Sequence, residues 1–75
     1  MNMVDIDGNK YLLNINNSAD VFDTVVDATL RNIRLDQGVI DAIGYAMYRD
    51  RRGGNLDYLW GNEEFMKCLD WQMGI

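Results

Sequence analysis

Tyr45, Tyr48, Arg49, Arg51 and Arg52 bring two phenols and three guanidinium groups into one short stretch. A helix turning about 100° per residue from Asp36 to Arg52 puts Asp41, Tyr45, Tyr48, Arg49 and Arg52 on one side. These side chains are equipped to bind. Tyrosine offers a large contact area with few rotatable bonds, and arginine forks onto a carboxylate or a phosphate. Tyr45, Tyr48, Arg49 and Arg52 are therefore expected to anchor a partner, with Arg51 at the rim. Two other readings use the same residues. Both tyrosines can pack beneath a neighbouring element with only their hydroxyls at the edge. Alternatively, Arg49, Arg51 and Arg52 can serve a small nucleic-acid-binding module.

A second charged face lies earlier in the chain. Asp20, Asp23 and Asp27 share one side of a helical stretch, with Arg31 and Arg34 further along it. Such a stripe is ordinarily a solvated face, but it can also imitate a row of phosphates. Small acidic proteins encoded by phages and other mobile elements often inhibit nucleic-acid-processing enzymes in that way. The chain has a similar size and charge, and it too lacks proline, histidine and an internal disulfide.

Catalytic and metal chemistry have little to stand on. The chain has no histidine, so its one thiol, Cys68, lacks its usual base. Cys68 reads as a small apolar residue on a helix. Zinc with one cysteine and no histidine is a poor fit. Glu63-Glu64 is a helix first turn before it is an acid/base pair. Gly53-Gly54 lacks the strand, spacing and lysine of a phosphate loop. Asp5, Asp7 and Asn9 partly match a calcium loop, but Lys10 stands where glycine is needed and Asn16 where a bidentate glutamate is needed. The expectation is a binding protein with no enzyme activity, cofactor or metal.

Composition sets the wider limits. Seventy-five residues with 48% apolar side chains fit one small domain, 1–75. A chain of this size buries roughly 60–65% of its unfolded surface. The net charge is −5 and unevenly spread. Residues 1–30 set Lys10 against Asp5, Asp7, Asp20, Asp23 and Asp27. Residues 31–52 set five arginines against Asp36, Asp41 and Asp50, and residues 53–75 set Lys67 against four carboxylates. Direct nucleic-acid binding is disfavoured in so acidic a chain, because phosphate neutralisation drives it. One cysteine fits a cytoplasmic setting, and no apolar run approaches a membrane span.

The elements that must position these residues follow from periodicity. Met3 to Ile15 reads as a β-hairpin about a type I′ turn at Asp7-Gly8. Its unpaired edge invites either a covering helix or a second copy, hence a homodimer. Asn17 or Ser18 can cap a helix that runs to about Arg34, with Phe22, Val25, Val26, Thr29 and Ile33 inward. Asp36 is expected to cap the central helix, which buries Val39, Ile40, Ile43, Ala46 and Met47. Gly44, at the edge of that stripe, could admit a neighbouring element closely. Arg51-Arg52-Gly53-Gly54 is a helix stop. Asn55 to Trp60 is a helical turn or ordered loop. Asn62 caps a last helix, Glu63 to about Met73, that packs Phe65, Met66, Leu69 and Met73. The expected fold is α+β: an N-terminal β-hairpin packed on two or three α-helices. The expected function is protein–protein interaction, as a small inhibitor or adaptor of a larger, nucleic-acid-processing machine.

Overall fold

Asn17 starts the first helix, α1, Ser18–Leu30. Its side-chain oxygen accepts the backbone N–H groups of Ala19 and Asp20 at 3.0 and 3.2 Å, two of the donors a helix start leaves unpaired. The computed structural model describes residues 13–75. Within them follow α2, Gln37–Arg49, a 3-10 turn at Asp57–Gly61, and α3, Glu63–Met73. Asn62 caps α3 by accepting from the Phe65 N–H at 3.0 Å.

The α+β expectation is corrected here. The described residues form a helical domain with no sheet layer. The hairpin from Met3, its Asp7-Gly8 turn, the calcium loop at Asp5 and the strand edge that suggested a homodimer all fall outside the described residues. Of that stretch only Leu13 to Ile15 are described, and Leu13 is buried in the core. The described helices bury apolar faces on one another and on the turn that follows α2. α1 packs along α3, and α2 packs against the 3-10 turn. Val21, Ile40, Ile43, Leu56, Leu59 and Phe65 are all but inaccessible at the centre of this packing. The rings of Phe22 and Phe65 stack across it with centroids 6.1 Å apart.

Several boundaries move. α1 ends at Leu30, well short of Arg34, because Asn32 adopts φ +58°. Its N–H bonds to the Thr29 carbonyl at 3.0 Å, and the Ile33 N–H reaches back to Ala28 at 2.8 Å. That is the double bond pattern of a left-handed helix stop, with asparagine where glycine is usual. α2 ends at Arg49, so Arg51 and Arg52 lie in the turn beyond it. Asp36 precedes α2 without a side-chain cap bond, and nothing approaches the position of a Cβ at Gly44. In α3 the buried stripe runs through Phe65, Cys68, Leu69 and Gln72, and Met73 is exposed.

Candidate protein interaction surface

α2 fixes the candidate surface through its own periodicity. Val39, Ile40, Ile43, Ala46 and Met47 are buried, as their spacing predicts. That burial turns Asp41, Tyr45, Tyr48 and Arg49 outward. Tyr45 is 70% exposed and Tyr48 71%, so neither packs beneath another element. Tyr48, Arg49, Arg51 and Arg52 line one depression of about 280 Å³ at the end of α2.

The three arginines are not equivalent. Arg49 is committed within the fold. Its Nε donates to Asp50 Oδ1 at 3.0 Å, and its NH2 nitrogen donates to Asp50 Oδ2 at 3.3 Å and to Asn16 Oδ1 at 2.7 Å. The Asp50 carboxylate also accepts the Leu56 N–H at 3.3 Å. The hydrogen bond from Arg49 is the main force holding the Asp50 pKa below the usual carboxylate value, and the same bond raises that of Arg49. Asn55 joins the clasp by donating to the Asn16 carbonyl at 3.0 Å. The segment ahead of α1 is thereby tied to the turn after α2.

Arg51 and Arg52 are presented differently. The Arg51 guanidinium lies over the Trp60 ring, 5.3 Å from its centroid. Trp60 is itself held by its Nε1–H, which donates to the Met47 carbonyl at 2.9 Å. Arg52 is exposed. Among the described residues neither makes an ion pair.

On α1, Asp23 and Asp27 are exposed and Asp20 is half-buried, with the expected Asp27–Arg31 pair at 3.6 Å. Cys68 is buried and has no disulfide partner. Among the described residues no group of three or more His, Cys, Asp or Glu side chains is placed to hold a metal ion. No helix among them is long and apolar enough to cross a membrane. A second depression, about 480 Å³, lies at the α1–α2 junction against Arg34, Leu35, Asp36, Gln37 and Gln72. There Arg34 stacks on Trp71, 3.7 Å from the ring centroid, and donates to the Trp71 carbonyl.

Sequence reasoning missed three residues that shape these surfaces. Asp50 reads as one more surface carboxylate, although the Gly53-Gly54 pair after it hints at a tight turn that needs closing. Asn16 reads as generic turn chemistry. Trp60 gives no signal of its bond to Met47, because that contact depends on how the chain folds back.

Compared with protein-family models, curated proteins and solved structures, the chain has no significant match to any of them.

Proposed function

We propose that this chain is a protein-interaction domain, an inhibitor or adaptor of a larger assembly, that binds through the C-terminal half of α2 and the turn beyond it. Tyr45, Tyr48, Arg51 and Arg52 make the contact, and Arg49 holds the turn that presents them. One observation carries the reading: Tyr45 and Tyr48, on one helix face, are the most exposed aromatic side chains among the described residues and stand beside an arginine-lined depression. Exposed aromatic side chains beside arginine are typical of binding hot spots. The proposal invokes no catalytic group. It also places the chain in a reducing compartment, where a lone buried thiol is ordinary.

The arginine-lined depression is the one feature that favours a nucleic-acid reading through Arg49, Arg51 and Arg52. The net charge of −5 and the internal pairing of Arg49 with Asp50 weigh against it.

The test is affinity capture of a partner by the wild-type chain, followed by titration of that partner with variants. Tyr45→Ala and Tyr48→Ala together should weaken binding by about 2 kcal/mol or more, roughly 30-fold, with the fold intact. Asp20, Asp23 and Asp27 changed to lysine should bind like wild type. The reverse pattern moves the binding surface to the acidic stripe of α1.

A further inference from the structure

We infer that the partner presents carboxylates: an acidic polypeptide segment whose Asp or Glu side chains are taken by Arg51 and Arg52 while its apolar side chains lie on Tyr45 and Tyr48. This rests on the proposal that the end of α2 is the binding surface, and adds the chemistry of what binds there.

The argument begins with which charges are already spent. Compensation of the helix dipole accounts for one basic residue in the last turn of α2, and Arg49 is that residue. Its charge is met by Asp50 and its donors by Asp50 and Asn16. Arg51 and Arg52 lie past the helix end, where that account does not reach. The acid on the same face, Asp41, stands one turn before Tyr45, where it accepts from the Gln37 side chain at 2.9 Å. The depression at the end of α2 is therefore bordered by two guanidinium groups with no carboxylate among the described residues to neutralise them.

Presentation is the second strand. A guanidinium over an aromatic face keeps its in-plane N–H edge for other acceptors, so the Trp60 contact positions Arg51 without consuming its fork. Trp60 in turn is pinned to Met47, inside α2. At least one fork is thus held by the fold before a ligand arrives, which lowers the entropy cost of binding a planar carboxylate.

Shape and total charge choose between acidic partners. A depression of about 280 Å³ is at the low end for enclosing a small molecule, but it suits one or two acidic side chains. A nucleic acid needs a tract of cations. Two arginines on a chain of net charge −5 neutralise at most two phosphates while the rest of the surface repels the polymer. The two tyrosines one turn apart offer apolar faces that a mixed acidic and apolar segment can cover.

Panning a random peptide library on the full chain tests this, with counter-selection against a folded Arg51→Glu/Arg52→Glu variant. The expected enriched peptides combine Asp or Glu with apolar residues. By fluorescence polarisation their affinity should fall about tenfold or more in that variant, and in Arg51→Gln/Arg52→Gln. Replacing the peptide's acids with lysine should restore binding to the glutamate variant. Circular dichroism and thermal melting check that both variants fold.

Enriched peptides that carry no acids but lose binding in Tyr45→Ala/Tyr48→Ala would overturn the carboxylate inference and leave the surface in place. Peptides indifferent to both pairs, or no enrichment at all, would overturn both readings. A 20-base-pair DNA duplex and a single-stranded RNA serve as parallel probes. Tighter binding of either, with a steep salt slope that vanishes in Arg51→Glu/Arg52→Glu, would assign the arginines to phosphate and overturn the inference.

Discussion

Gln72 and Asp50 are the two buried polar side chains among the described residues, 6% and 8% exposed. Each closes a loop, and they do so by different means. Gln72 reaches from α3 to the α1–α2 junction. Its Oε1 accepts the Leu35 N–H at 2.8 Å, and its Nε2 donates to the Ile33 carbonyl at 2.8 Å and to Thr29 Oγ1 at 3.2 Å. It carries no charge and satisfies the backbone of a remote segment. Asp50 works at short range. Its partners are the adjacent Arg49 and the Leu56 N–H of the loop it closes, and it is charged. The comparison teaches that a buried amide joins distant elements without linking them to pH. A buried carboxylate orders a local turn and makes that turn depend on its ionisation.

Five substitutions break or sharpen this comparison. Gln72→Leu should have the largest effect. It keeps the volume but leaves the Leu35 N–H and the Ile33 carbonyl buried without their partner. A loss of about 2–3 kcal/mol in urea unfolding is expected, the same at pH 7 and at pH 4. An unchanged midpoint would mean that water replaces the amide from the neighbouring depression.

Asp50→Asn should lower the urea midpoint less, and with a pH signature. The folded pKa of Asp50 lies below the unfolded value, so its charged form stabilises the fold. That contribution is full above the ordinary aspartate pKa, about 3.9, and is lost as pH falls through the lower folded value. The gap between wild type and Asp50→Asn should therefore be widest near neutrality and close in acid. A gap constant across that range would show that Asp50 acts by packing alone.

Gly54→Ala probes the same clasp from the other side. A Cβ at Gly54 would stand 2.4 Å from the Asp50 carboxyl, although the backbone there needs no positive φ. About 1–2 kcal/mol of destabilisation is expected from the forced shift. It should shrink in an Asp50→Gly background, where both the carboxyl and the Asp50 Cβ, 2.5 Å from the added methyl, are gone, as a double-mutant cycle would read out.

The smallest effect belongs to the solvated stripe. Asp23→Asn and Asp27→Asn should each stay within about 0.5 kcal/mol of wild type in thermal unfolding, the Asp27–Arg31 pair included. A larger loss at Asp27 would mean that an exposed pair on α1 matters as the Asp50 clasp does.

The amphipathic face of α2, the cap at Asn62, a cap at Asn17 or Ser18, and the side of α2 that Tyr45 and Tyr48 share were legible in the sequence; whether another element covers the two tyrosines was not. Each depends on residues within one or two turns of each other, and helical periodicity fixes which side they take. The early end of α1 was legible in principle, since asparagine is the residue other than glycine that most readily takes the left-handed conformation. Periodicity extended the helix past Asn32 because Ile33 continues the apolar spacing.

Other features could be decided only by the fold. That the described helices bury their apolar faces on one another follows from α1 lying along α3. The exchange of Met73 for Cys68 and Gln72 on the buried side of α3 has the same origin. So does the division of labour among the arginines: Arg49 is committed because Asn16, 33 residues away, is brought to it, while Arg51 and Arg52 stay available. The sequence determines which side chains a helix displays together. Which of them then meet a partner depends on segments that only folding brings within hydrogen-bond reach, since a bond of about 3 Å has no counterpart in local spacing.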